Sequence, residues 1–505
     1  MSEIRSVFED ASAVKQYPRL KGKISADVAI IGGGITGITA AYLLAKQGKK
    51  VVVLEAHQLG KGATGNSTGN LYATVGNKGL QAIKSKFGTE TMTDVVRARR
   101  MAVDFIANCV QEHSIDCDFK RISWSLFSDE EKKKSYIGDE KEAAAAAGLP
   151  TEVEIAFPLP VVHGFSIPGQ AQFNPYKYIV ALAASITGDC AIYEHTKVTS
   201  VEEADGIVVI TTEHGKVITH KAIMATHTPK GIYLVHSLLG PYREYAVAAT
   251  LNGEYPPDGT FWKATDNEHY SMRTYDSPKG KVLMVLGEIH KVGQKQDNDE
   301  CFKRLEHYLR ENFDVATIEY RWAAQQYKPA DTLPYIGTVS DDSNIHIATG
   351  FSADGLTYGT MAAMIISDLI AGRNNDFAKI FDPKRHTPLA SAGEAIKENL
   401  NVAAQYIKDI PYSSEVDKAS DVTSGEGKII EVDGEKYGAY RHENGSLHVV
   451  SAVCTHMKCI VAWNRAEKSW DCPCHGSRFS YCGEVIEGPA IADLPKMSET
   501  NKQQL

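Results

Sequence analysis

Two short stretches near the C-terminus of this 505-residue chain concentrate thiols and imidazoles: Cys454-Thr-His456-Met-Lys-Cys459 and Cys472-Pro-Cys474-His475-Gly-Ser477. Two thiolates and two imidazoles on paired loops are the ligand set of a two-iron, two-sulfur cluster, with Cys454 and Cys472 on one iron and His456 and His475 on the other. Such a centre carries one electron at a time. Cys459 and Cys474 lie in the same loops but are surplus to ligation, and they read as a disulfide tying the loops together. Ser477 is a candidate hydrogen-bond donor to a cluster sulfur. Tetrahedral zinc is the competing reading, since Cys-x-His and Cys-x-x-His pairs suit it, but it gives the additional cysteine of each loop no task.

This block resembles the Rieske proteins of cytochrome bc-type complexes more than Rieske ferredoxins, because it has the extra cysteine pair and the run Gly488-Pro-Ala490. Phe479 departs from that pattern. The resemblance implies a tyrosine there whose hydroxyl reaches a ligand sulfur, so its loss is expected to lower the reduction potential.

A second chemical signature stands at the other end. The apolar run Asp27 to Ile31 enters Gly32-Gly-Gly34-Ile-Thr36-Gly37, a helical pattern follows to Lys46, and the strand Val51 to Leu54 ends at Glu55. Strand, glycine turn, helix, strand and acid in that order make a dinucleotide-binding unit. Gly32 serves the tight turn, Gly34 the approach of the pyrophosphate, Gly37 the close packing of helix on strand, and Glu55 the adenosine ribose. Next comes the small-residue run Leu59 to Asn70, with Gly62, Thr64, Asn66 and Ser67 able to pass close to a flavin ring.

From about Asp27 to about Gly372 the sequence resembles the D-amino-acid oxidase-like FAD enzymes, in the branch of glycine, sarcosine and gamma-glutamylputrescine oxidases. The resemblance recurs at Trp322, at Asp331-Thr-Leu-Pro334-Tyr-Ile-Gly337 and at Thr349-Gly350 through Gly355-Leu356-Thr357-Tyr-Gly359. It implies FAD, with Gly350, Gly355, Leu356 and Thr357 beside the flavin's pyrimidine end, where a helix N-terminus would stabilise an anionic reduced ring. No cysteine falls between Trp322 and Gly359, so the FAD is expected to be dissociable.

These motifs need scaffolds to position them. The chain is roughly three domain lengths by the usual prior. The expected fold is an α/β Rossmann-like FAD domain with a strand-rich substrate domain, followed by a small all-β Rieske domain. The oxidoreductase region takes 1–385, with FAD-binding parts at about 20–90, 190–230 and 330–375 and a substrate domain at about 90–190 and 235–330. A helix and linker take 386–425, the helix running Ser391 to Ile410, and the Rieske domain takes 426–505. Helical spacing after Phe87 predicts a packed helix pair, and the alanine-rich segment Glu140 to Gly148 a short exposed helix. Asp205-Gly206, His214-Gly215, Asp433-Gly434 and Asn444-Gly445 mark turns between strands.

Composition removes other classes. A net charge of −9 without a basic patch argues against nucleic acid. No apolar stretch is long enough to cross a bilayer, and Met1 to Lys15 lacks the apolar core of a leader, so no transmembrane anchor is expected. Scattered cysteines suggest a reducing, cytoplasmic setting, with peripheral membrane contact through an electron acceptor left open.

Both centres in one chain suggest oxidation of an amine or amino-acid C–N bond at FAD, with electrons passed through the cluster to an external protein or quinone. Two alternatives are an NAD(P)H-fed reductase supplying an oxygenase, and an oxidase whose Rieske module is structural or redox-sensing. Arg243, Tyr245, Arg273, Tyr275 and Arg321 are the candidate substrate-site residues, lying on strands expected to roof the flavin. Lys61 is a candidate for tuning oxygen reactivity.

Overall fold

A computed structural model of the chain describes residues 4–8, 15–385 apart from 77, 154–155, 267–268 and 296, residue 401, and 419–497. The helix expected over 391–410 and the first part of the connector after it lie outside the described residues.

The first sheet is built on a parallel run ordered Cys190–Tyr193, Val51–Leu54, Gly22–Ile31, Gly215–Met224 and Ile345–Thr349, with Tyr335–Thr338 antiparallel at the edge. All four residues of Val51–Leu54 are buried, the signature of a strand covered on both faces rather than one. The helices Ile35–Lys46 and Gly355–Ile370 cover one face and pack on each other. Their approach to the sheet is close: a Cβ at Gly37 would lie 1.9 Å from the Gly32 carbonyl oxygen, which only glycine avoids.

The expected helix pair is the run Gly79–Glu112, broken at Gly88, where φ is 86° and ψ 170°. Glu140 accepts hydrogen bonds from the amides of Leu80 (2.8 Å) and Gln81 (3.1 Å) at its start. Glu140 belongs to the alanine-rich helix Lys134–Ala146, which the sequence reading left exposed. Instead Ile137, Glu140, Ala143 and Ala144 are buried, because alanine lets that helix lie close against Gly79–Glu112.

A second sheet of eight strands runs Val315–Pro329, Leu239–Leu251, Gly280–Lys291, His269–Ser277, Thr260–Ala264, Lys120–Ser128, His163–Gln172 and Asn70–Leu71. Its far face packs on the helix Asp299–Asn312, whose stripe of Cys301, Phe302, Leu305 and Leu309 meets Tyr245, Val247 and Met272. Its near face looks back toward the first sheet, and the cofactor cavity lies between them.

The C-terminal module has a three-stranded sheet (Gly427–Val432, Glu435–Arg441, Leu447–Ser451) and a four-stranded one (Ala462–Asn464, Ser469–Asp471, Arg478–Ser480, Val485–Glu487). The first hairpin turns at Asp433 and Gly434, both with positive φ, as a two-residue primed turn requires. Tyr440, Trp470 and Phe479 pack around Cys454 and Cys472 in one core.

Candidate active site and cluster site

A cavity of about 620 Å³ opens where the glycine turn, the small-residue run and the second sheet converge. Of the expected FAD residues, Gly32, Gly34, Thr36, Glu55, Gly62, Thr64, Asn66, Ser67, Gly355 and Leu356 line it. Gly37, Gly350 and Thr357 do not. Gly37 sits at the helix–strand contact, and Thr357 is buried in the helix it opens. Glu55 accepts from the amides of Gly33 (2.7 Å) and His57 (2.8 Å), fixing the turn.

The cavity suits an anionic dinucleotide. The helix Ile35–Lys46 starts with no side-chain cap at Gly34 and no acid in its first turn, and Gly355–Ile370 also starts uncapped and with no acid in its first turn. The positive end of Ile35–Lys46 therefore remains available to an anion, apart from the Ile35 amide, which donates to Thr64 Oγ1 (3.0 Å), whereas the N-cap residue of Gly355–Ile370 is itself an acid, Asp354, held by Arg99 and Tyr72. Gly33 and Gly34 keep the floor bare: Cβ atoms there would meet Leu59 Cδ2 at 2.4 Å and Thr64 Oγ1 at 2.9 Å. These residues fit FAD.

Strand pleat alone would keep candidates two residues apart on one face, but the register shift between Arg243 and Tyr245 sends those two to opposite sides of the sheet. Arg243, Arg273 and Lys61 line the cavity, and Tyr245, Tyr275 and Arg321 do not. Tyr245 points away to hydrogen-bond His290 (3.1 Å), and Arg321 pairs with Glu306 on the covering helix. Tyr275 lies beyond the cavity, bonded to Asp118 (2.8 Å) and Asn174 (2.9 Å). Lys61 places its ammonium 4.5 Å from the Tyr176 ring centroid.

Arg273 is 1% exposed and donates only to uncharged oxygens: the Thr68 carbonyl (3.1 Å), the Thr68 hydroxyl and Ser271 Oγ (2.6 Å). Its Nε has no partner, and no carboxylate lies within salt-bridge distance among the described residues. Burial draws its pKa down to about 10, partly offset by the charges of Tyr72 and Glu244. Glu244 accepts from Gln326 Nε2 at 3.0 Å, and Gln326 Oε1 and Trp262 Nε1 face the same space unpartnered. The sequence reading missed Glu244, Gln326 and Trp262. Alternation offers no signal for the first, because Arg243 and Glu244, neighbours in sequence, both line the cavity where the register shifts before Tyr245. A further buried group, Tyr72–Asp354–Arg99, joins the cavity wall to the second helix start; Arg99 Nη2 lies 3.2 Å from Asp354 Oδ2.

Toward the C-terminus Cys459 and Cys474 form the expected disulfide, and Cys454 and Cys472 are buried free thiols side by side. The neighbouring thiol of Cys472 lowers the Cys454 pKa, burial works the other way, and the amides of His456 and Met457 and the Ser477 hydroxyl lower it further. Ser477 Oγ accepts from the Ala490 amide at 3.0 Å, which leaves its hydrogen for Cys454. His456 Nε2 and His475 Nδ1 are buried without partners, with ring centroids 5.1 Å apart. Two thiolate ligands supplied with donors and two orphaned imidazole nitrogens fit a two-iron cluster.

The two histidine rings do not face solvent freely, being 8% and 7% exposed. His236, from the short helix Leu234–Leu238, packs its ring 5.1 Å from His456 and 6.3 Å from His475. Its Nδ1 accepts from the Tyr233 amide and its Nε2 meets the Pro229 carbonyl, the pattern of a neutral imidazole.

The cluster module docks against the second sheet. Gln325 donates to the Gly476 carbonyl and to Tyr327 Oη, and Tyr327 donates to the Gly488 carbonyl, all at 2.8 Å. Arg243 meets Glu467, with Glu487 3.8 Å away, and Arg478 reaches Asp471 (3.0 Å), Glu467 (3.1 Å) and Glu487 (3.7 Å). Burial alone would raise the pKa of Glu487, but the His227 hydrogen bond and the two guanidinium charges outweigh it and hold the carboxyl at about 2. Glu467, Arg478 and residues 485–488, 490 and 491 line the same cavity as the glycine turn. Among the described residues, no helix is long and apolar enough to cross a membrane.

Comparisons agree with this geometry. Residues 27–369 match the family described as FAD dependent oxidoreductase, and residues 413–498 match the Rieske [2Fe-2S] domain. A Bacillus subtilis Rieske 2Fe-2S iron-sulfur protein, YhfW, is 32% identical over 97% of both chains. The gamma-glutamylputrescine oxidoreductase of Escherichia coli is 24% identical over 74% of this chain and 90% of its own. The crystal structure of glycine oxidase from Geobacillus kaustophilus superposes with a TM-score of 0.57 at 17% identity, covering 72% of this chain and 99% of that one.

Proposed function

The chain belongs to the FAD dependent oxidoreductase family and carries a Rieske [2Fe-2S] domain, and on that premise we propose that it oxidises the C–N bond of an amino acid or carboxylated amine and passes the electrons through its cluster to an external acceptor. Bound FAD supplies a two-electron hydride acceptor, and the cluster a one-electron carrier. The chain's own residues do the rest. Arg273, buried without a counter-charge, holds the substrate carboxylate, and Glu244, steadied by Gln326, faces the amine. The hydride leaves the carbon bearing nitrogen, the nitrogen loses a proton, and the imine hydrolyses in water.

The observation that carries the relay is the shared cavity: one space is walled by the dinucleotide turn and by residues 485–488 of the cluster module. Gln325 also links that wall by one hydrogen bond to Gly476, the residue after ligand His475. Anaerobic stopped-flow with amino acids and amines is the test. Flavin bleaching followed by loss of the oxidised-cluster absorbance is expected, and NADH should produce neither. In Cys454→Ser, dye-coupled turnover is expected to persist while turnover with the natural acceptor is lost. Flavin bleaching by amines with the cluster still oxidised after many turnovers would refute the relay.

A further inference from the structure

The strand–turn at 485–491 belongs to the cluster module by sequence, yet it forms wall in the flavoprotein cavity. It is fastened there from several sides. The Gly231 amide donates to the Pro489 carbonyl (3.2 Å), Tyr327 Oη donates to the Gly488 carbonyl (2.8 Å), and Lys197 Nζ pairs with Asp493 (2.5 Å) just beyond. Lys230 is also held at this seam. A Cβ on Gly488 would lie 2.4 Å from its Nζ, so the ammonium rests on the bare Gly488 backbone and faces the cavity. No carboxylate lies within 4.0 Å of it among the described residues, and the charges that act on it are Glu487 from the module, the cation Lys197 and, more weakly, Glu55 from the dinucleotide turn. An uncompensated cation between the ribose-binding acid and the module is placed for an anionic ligand.

We propose that the iron–sulfur module is itself a wall of the FAD site, with Lys230 and the 485–491 turn among the residues that hold FAD, so that FAD enters and leaves only when the module undocks. The inference rests on the two cofactor sites and not on the direction of electron flow. Docking buries Arg243 and Arg478 among Glu467, Asp471 and Glu487, and separating the surfaces breaks up that cluster of charges. FAD release is therefore slow for a reason lying outside the dinucleotide motif.

The test measures FAD loss from diluted holoprotein as the rise of free-flavin fluorescence, with cluster content followed by EPR. Gly293 lies outside the cavity, and a Cβ there would meet the Asp471 carbonyl oxygen at 2.7 Å, so Gly293→Leu wedges the module outward. It should speed FAD release at least about tenfold with the cluster retained. Lys197→Cys with Asp493→Cys, bridged by a short bis-thiol reagent, should slow release about tenfold relative to the same protein unbridged. A bridged protein that loses FAD at the unbridged rate overturns the proposal, whatever the wedge does. Loss of the relay with FAD still trapped by bridging would sink the proposed function and leave this inference standing.

Discussion

The two ends of the cavity treat a buried arginine in opposite ways. At the module junction Arg243 is 2% exposed and faces Glu467 and Glu487, carboxylates that it shares with Arg478. On the other side of the cavity Arg273 is as buried and, like Arg243, keeps Nε unpartnered, but it touches only hydroxyl and carbonyl oxygens. A neutralised guanidinium holds protein to protein, and an un-neutralised one is held in readiness for an anion from outside. Residue type and burial do not separate these roles. Their counter-charges do.

The contrast can be broken directly. Arg243→Met leaves Glu467 and Glu487 under-compensated and should cost about 4 kcal/mol, read as earlier melting of the cluster module by calorimetry. A variant with unchanged melting would place Arg243 with Arg273 after all. Arg273→Gln should raise KM for carboxylated substrates about 100-fold, equivalent to about 3 kcal/mol, while Tm holds or rises because an unpaired buried charge is gone. A KM effect of equal size on amines lacking a carboxylate would remove the anion-binding reading. The smallest effect belongs to the cluster itself. Ser477→Ala removes the hydroxyl that faces Cys454 and should lower the reduction potential by about 60 mV, one hydrogen bond's worth for a one-electron couple, measurable by EPR-monitored titration.

The sequence made the glycine turn and the paired thiol–imidazole loops legible and the remaining cavity-lining side chains only in part, for a physical reason. The glycine turn, Glu55 and the cluster ligands lie in short contiguous stretches whose backbone conformation follows from local residue type. Gly37 shows this well: a Cβ there would lie 1.9 Å from the Gly32 carbonyl oxygen, so the bare backbone is a requirement of helix meeting strand inside a single unit. Substrate-facing side chains come from strands far apart in sequence, and the face each takes depends on register. The pairing of Leu239–Leu251 with Gly280–Lys291 shifts between Arg243 and Tyr245, a break that no local pattern marks. Five candidate residues fell on the right strands, yet only Arg243 and Arg273 of them line the cavity. The grouping of Tyr72, Asp354 and Arg99 was out of reach because its members come from three remote segments.

His236, seated against both cluster imidazoles, carries one more consequence. A redox partner approaching those imidazoles meets the flavoprotein's own segment, with Ile232 72% and Leu234 84% exposed beside it, before it meets the iron–sulfur fold. On the proposed relay, part of the surface that meets the downstream carrier is therefore encoded some two hundred residues upstream of the cluster loops. Grafting this cluster domain onto another dehydrogenase would transplant the wire and leave its socket behind.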